Sequence, residues 1–210
     1  MALDCSVSII KICGTEMKEH FINQLDNFIC GWYIDKNVCG DMIEYHRNCE
    51  HKRPGAYGKN KQIDKSIKDS IDCVLEDNNL CKRYYSELQN CVDLYVKKYP
   101  GCNVGPAWRN TENANLQYYP PGGGYHVWHT ERYSMKPPIV YRHLVFLTYL
   151  NDVNDGGETE FMHQKIKIKP ETGLTLIWPV DWTYVHRGVA SLTEEKYIYT
   201  GWFNFYEENV

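Results

Sequence analysis

A histidine and a glutamate two residues apart, His129-Thr130-Glu131, are the side chains of this sequence best suited to chemistry. On an extended segment, residues i and i+2 leave the same face of the backbone. With His186 brought in from a distant strand, they make a set of two imidazoles and one carboxylate. Three such donors on one side of a metal leave the remaining octahedral positions open. That arrangement suits non-haem Fe(II) oxygenase chemistry and not a closed structural zinc site. His129, Glu131 and His186 are the expected metal ligands and catalytic centre. An isolated H-x-E pair occurs by chance in many chains, so its weight depends on the elements that carry it.

From Asn113 onward the sequence reads as short strands separated by turn residues. Residues 115–119 end at Pro120-Pro121-Gly122-Gly123-Gly124, and the strand that carries the pair, 125–131, follows. Residues 142–150 are bulky at both parities, as in a strand buried on two faces. Shorter strands are expected at 158–161, at 165–169 with Ile166 and Ile168 inward, at 174–178 and at 183–186, and a last one at 197–206. About eight strands in this half predict a double-sheet jelly roll. Glu131 and His186 are 55 positions apart, which leaves room for the intervening strands before the chain returns.

Residues 1–112 read as helix and loop, a buttress for the sheet within a single domain spanning 1–210, with 113–206 as its core. Asn37 is the expected N-cap of a helix over 38–46 that turns Val38, Met42 and Tyr45 to one side. A longer helix over 79–98 has Leu88, Cys91, Val92 and Tyr95 as its apolar stripe and stops at Tyr99-Pro100-Gly101. The polar segment 49–68 is either a solvated loop or a lid over the site. The overall class is mainly β with flanking helices (α+β).

Composition excludes other roles. The chain has 210 residues, 43% hydrophobic and 24% charged, with a formal net charge of −4. It is too apolar for disorder, no run approaches the ~18 apolar residues of a membrane span, and no basic half suggests nucleic acid as the partner. With no signal-like start, a cytoplasmic location in the cell or in an infected host is expected. The nine cysteines all precede residue 103 and contain no C-x-x-C pair, so most are expected to be reduced, buried small hydrophobes.

Residues 113–206 resemble the Fe(II)- and 2-oxoglutarate-dependent dioxygenases, in particular the prolyl 4-hydroxylase-like branch and its small phage-encoded relatives. The resemblance lies in Tyr119…Gly123-Gly124-Tyr125…His129-Thr130-Glu131, in Tyr149-Leu150-Asn151-Asp152-Val153…Gly156-Gly157-Glu158-Thr159, and in His186 followed by Lys196 and Trp202. It implies Fe(II), 2-oxoglutarate and O2, with ascorbate as a candidate reductant. It also implies that Lys196 meets the distal carboxylate of 2-oxoglutarate, that Tyr119 and Thr159 offer it hydroxyls, and that Trp202 walls its pocket. Tyr118 and Tyr119 point to opposite faces, so only one of them can serve.

Two departures stand out. The carboxylate is Glu131 where the hydroxylases usually have aspartate. The Tyr125–His129 gap is one residue longer than the family pattern, which implies a local bulge. His126, His143 and His163 are left outside the ligand set. The implied reaction is oxidative decarboxylation of 2-oxoglutarate to succinate and CO2, coupled to hydroxylation of an unactivated C–H. The implied substrate is a prolyl or other residue in a peptide or protein, bound between the 49–68 and 131–141 loops; a small molecule is the second choice. The competing readings are a cupin-type metalloenzyme, which has no use for Lys196, and a non-enzymatic jelly-roll binding module, which has no use for the ligands.

Overall fold

A computed structural model of the protein describes residues 9–12, 15–22, 26–58 and 60–206. The first half contains β1 (Ile9–Ile12), β2 (Thr15–His20), β3 (Cys30–Tyr33), α1 (Lys36–Asn48), β4 (Arg53–Pro54), β5 (Ile71–Cys73) and α2 (Asn78–Lys98). Then come β6 (Trp108–Asn110), β7 (Asn115–Tyr119), β8 (Tyr125–His129), β9 (Arg142–Tyr149) and β10 (Thr159–Phe161). β11 (Ile166–Ile168), β12 (Leu174–Pro179), β13 (His186–Gly188) and β14 (Lys196–Phe205) complete the chain.

After β6 the chain passes back and forth between two antiparallel sheets, with β10 and β11 together in the smaller one, as in a jelly roll. The larger sheet has the order β1-β2-β3-β12-β9-β14-β7-β5-β4, with β6 also paired to β14; the smaller has the order β11-β10-β13-β8. Every pairing is antiparallel. The sheets face each other across a core of Val145, Leu147, Tyr149, Phe161, Ile168, Leu174, Leu176, Trp178 and Ile198.

The opposite face of the larger sheet is also buried. Phe146, Tyr197, Tyr199 and Phe203 pack there against Leu88, Cys91, Val92 and Tyr95 of α2 and Val38 and Met42 of α1. This explains the bulky residues at both parities of β9, whose alternate side chains enter two cores. The helices are held at their starts by aspartates: Asp35 accepts from Asn37 N, and Asp77 accepts from Asn79 N and Leu80 N. α1 therefore begins at Lys36, two residues before the expected start at Val38, because the Asp35 carboxylate and not Asn37 caps the free amide.

The first half is not only helix and loop. β2 and β3 extend the large sheet beyond β12, and β4 and β5 extend it beyond β7. Of the nine cysteines, Cys5 and Cys13 lie outside the residues whose structure is described. Cys30, Cys39, Cys73 and Cys91 are buried free thiols, and Cys49, Cys81 and Cys102 are partly buried free thiols.

Candidate active site

His129 and His186 are direct cross-strand partners at one end of the β8–β13 pair, so two distant segments meet through backbone pairing. The register then slips: a step of two along β13, from His186 to Gly188, opposes a step of four along β8, from His129 to Tyr125. The extra length is the bulge expected from the long Tyr125–His129 gap, and it turns Tyr125 flat onto the His129 ring, with centroids 3.8 Å apart. Glu131 follows just past β8. Its Oε1 lies 3.3 Å from His186 Nε2 and 3.7 Å from His129 Nε2, and one donor atom from each residue falls within 4.8 Å of the others.

The orientation of each imidazole is fixed from behind. Nδ1 of His129 bonds the carbonyl of Val127 at 3.0 Å, and Nδ1 of His186 bonds that of Tyr184 at 2.9 Å. A carbonyl can only accept, so each Nδ1 carries the proton and each Nε2 is left with a lone pair facing Glu131. Burial, with the His186 ring beside it, lowers the His129 pKa. Burial alone would raise that of Glu131, but the two histidine rings within 3.7 Å of its carboxylate hold it well below the carboxylate range. A neutral imidazole and an ionised carboxylate are the forms a metal needs. Phe161 and Trp178 pack on the His186 ring, at 5.7 and 5.2 Å, and close the inner side.

Further in, β14 starts with Lys196, paired in register with Tyr119 of β7. The ammonium is 4% exposed and donates to the carbonyls of Gly157 at 2.9 Å and Val189 at 3.4 Å. It lies 4.9 Å from the Tyr119 ring centroid. Among the described residues, no carboxylate comes within ion-pair distance of it. Burial pushes its pKa down to about 8, against a weaker upward pull from Glu158. Gly157, whose carbonyl receives Lys196, has φ +80°, and a Cβ there would stand 2.9 Å from Val153 Cγ1, so the loop needs glycine on two counts.

Tyr119 faces the inter-sheet core, and Tyr118 faces the helices beside His46 and Tyr197. Thr159 is buried and accepts a 2.5 Å hydrogen bond from the hydroxyl of Tyr149. The Tyr119 hydroxyl donates to Gln117 Oε1 at 2.8 Å. Trp202 is closer to the three metal-donor residues than a pocket wall need be, since its indole N–H donates to Glu131 Oε2 at 2.9 Å.

Residues 114–204 match the 2OG-Fe(II) oxygenase superfamily. Over that stretch the chain is similar to 2OG-Fe(II) oxygenases. Its fold is similar to that of a Pseudomonas putida prolyl-4-hydroxylase, at 18% identity and a TM-score of 0.64 over 86% of this chain and 94% of that one. A Trichoplax adhaerens prolyl hydroxylase, solved with a hypoxia inducible factor oxygen degradation domain peptide fragment, aligns at 19% identity and a TM-score of 0.68. That alignment covers 85% of this chain and 84% of the other. The viral collagen prolyl hydroxylase of Paramecium Bursaria Chlorella virus-1, solved as a 2OG complex, gives 16% and 0.62, over 86% of this chain and 97% of its own. No curated protein sequence matches the chain.

The superfamily implies Fe(II), 2-oxoglutarate and O2, and the donor set of His129, Glu131 and His186 fits the metal. Donors about 2.1 Å from one ion on an octahedral face stand roughly 3 Å apart, close to the spacings around Glu131 Oε1. The three other histidines of this half stay outside the set. His143 bonds the Cys102 carbonyl at 2.8 Å, His163 lies against Trp182, and His126 pairs through its backbone with Ile67.

The segment 49–68 does not float free over the candidate site. Its end runs along β8 through Asp69 N to Gly124 O and His126 N to Ile67 O, and Lys68 is buried in an ion pair with Asp72 at 2.8 Å. Sequence reasoning counted Tyr149 in the core strand and in the family motif but gave it no role in the site, although its inward parity with Val145 and Leu147 was a usable signal. It also missed Arg142 and Glu112, whose partners are set by tertiary distance alone.

Proposed function

We propose that His129, Glu131 and His186 hold Fe(II), that Lys196 anchors the distal carboxylate of 2-oxoglutarate, and that the oxygenase hydroxylates a prolyl or similar residue within a peptide. The observation that carries this reading is the convergence of three metal-donor atoms within 4.8 Å between the same two sheets as a buried lysine that, among the described residues, has no carboxylate within ion-pair distance. A cation so buried is costly unless an anion meets it.

When bound, Fe(II) together with 2-oxoglutarate and O2 supplies the oxidation that yields succinate and CO2 and places hydroxyl on an unactivated C–H. The chain supplies position and a dry cavity. Val127 and Tyr184 carbonyls keep both Nε2 atoms presented, and Phe161 and Trp178 exclude water behind His186. Burial raises the pKa of the Tyr119 and Tyr149 phenols, so both stay protonated. They and the Thr159 hydroxyl are the neutral partners proposed for 2-oxoglutarate, with the Trp202 ring as one wall of the pocket. A peptide substrate is supported by the likeness to the Trichoplax enzyme and by the exposed Trp128, Tyr133 and Tyr141, a surface that suits apolar or proline-containing chains.

The test is succinate release from 2-oxoglutarate by purified protein with Fe(II), O2 and ascorbate, beside His129→Ala, with and without proline-containing peptides. Succinate that requires His129 and rises with a peptide is the expected result. Succinate unaffected by His129→Ala would overturn the ligand assignment, and hydroxylation of a small molecule but no peptide would overturn the substrate class.

A further inference from the structure

A glutamate ligand brings one more side-chain torsion than an aspartate, and a carboxylate with both oxygens free can take two metal positions instead of one. In this chain Glu131 is restrained at both ends. Trp202 Nε1 donates to Oε2 at 2.9 Å, while Oε1 alone faces the two histidine nitrogens. Arg142 donates to the Glu131 backbone carbonyl at 2.9 Å, and its guanidinium lies over the Trp202 ring at 3.5 Å. The main chain on either side is tied to one carbonyl, that of Val180, by Thr130 Oγ1 at 2.8 Å and Arg132 N at 3.3 Å.

The clamp is itself fixed. Arg142 grips Glu112 with two parallel bonds of 2.8 and 2.7 Å, and Asn204 donates to the same carboxylate at 2.9 Å. Arg142 is buried, and the flat stack it makes on Trp202 sets the plane of the indole. Because the N–H lies in that plane, the stack also sets where the hydrogen bond points. An indole N–H is a donor only and cannot compete for a cation.

We propose that Trp202 and Arg142 are positioning residues that hold Glu131 as a one-oxygen metal ligand, keeping Oε2 occupied so that the opposite metal positions stay open. The inference rests on the metal site proposed above and adds to it how a glutamate fills that place. Lengthening the carboxylate arm by one methylene brings Oε2 within reach of β14. An aspartate would withdraw it by about 1.5 Å and lose the indole.

The experiment uses the full chain with Co(II) as the probe, titrated by visible absorption against a competing chelator. Trp202→Phe keeps an aromatic ring under Arg142 and removes the indole N–H, leaving Arg142 Nη1, 3.6 Å away, as the nearest remaining partner of Oε2. Its expected effect is about 10–100-fold weaker Co(II) binding, the usual cost of losing such a supporting partner. The carboxylate infrared splitting of the Co(II) form should narrow as Oε2 joins the metal. In a Glu131→Asp background the same Trp202→Phe change should cost less than about threefold.

Co(II) binding within about threefold of wild type in Trp202→Phe, or equal losses in both backgrounds, would overturn the clamp and leave the metal site standing. Failure of the wild type to bind Co(II) would overturn both. If Trp202→Phe does not fold, the 15N-indole resonance of Trp202 in the wild type decides instead. Protection from solvent exchange that is lost in Glu131→Ala supports the clamp, and free exchange in the wild type refutes it.

Discussion

The ammonium of Lys196 touches two carbonyl oxygens and an aromatic ring, and burial lowers its pKa to about 8. If an incoming carboxylate needs the charged form, ligand-free protein is ready to receive it below pH 8 and must take up a proton to do so above. The affinity for 2-oxoglutarate should therefore be level from about pH 6.5 to 7.5 and fall up to tenfold per unit above about 8. Isothermal titration in buffers of different ionisation enthalpy would show the matching proton uptake. A flat affinity to pH 10 would remove Lys196 from the role. The folded pKa is depressed, so this group makes ligand-free stability rise, not fall, between about pH 8 and the ordinary lysine value near 10.4. A direct test is Lys196→Ala, which should weaken 2-oxoglutarate by roughly 100-fold or more while leaving Co(II) affinity within about threefold. Equal losses of both ligands would mean the substitution collapses the cavity instead of removing an anchor.

Elements differ in how much of them a sequence reveals, and α2 is at the legible end. Its stripe of Leu88, Cys91, Val92 and Tyr95 has helical spacing, and Asp77 caps its first free amides. Asp77→Ala should cost about 1 kcal/mol and lower Tm by roughly 2–4 °C, with Co(II) and 2-oxoglutarate affinities unchanged, since α2 packs on the face of the large sheet away from the ligands. Calorimetry beside metal titration checks both halves of that statement. β3 is at the illegible end: Cys30-Gly31-Trp32-Tyr33 has no alternation and becomes a strand only because β12 and β2 pair with it. Gly31 is needed there because a Cβ would stand 2.8 and 2.9 Å from Leu174 and Leu176, a demand visible only once the partner strand is in place. The same contrast holds in the site. His129, Glu131 and His186 could be grouped from residue type, but the hold of Trp202 on Glu131 spans 71 positions and has no local pattern.

For the whole molecule, the large sheet has no face that water can reach without loss, and this decides what the first half is for. Its outer side carries Phe146, Tyr197, Tyr199 and Phe203 under α1 and α2, and its flanks need β3 against β12 and β5 against β7. Burying four such rings contributes roughly 6–12 kcal/mol, as much as the ~5–15 kcal/mol that separates a folded domain of this kind from its unfolded chain. Residues 106–210 contain every proposed ligand and every strand of the jelly roll, yet expressed alone they should fail to form it. The fragment is expected to bind a hydrophobic dye, lack near-ultraviolet dichroism and take up no Co(II), and to sediment as aggregates through the uncovered edge of β12. Supplying residues 1–105 in trans should restore Co(II) binding in part if the two pieces dock as the sheet order requires. A fragment that is monomeric and binds Co(II) as the full chain does would show instead that the helices only decorate a self-sufficient barrel, and the two halves would then have to be counted as separate domains.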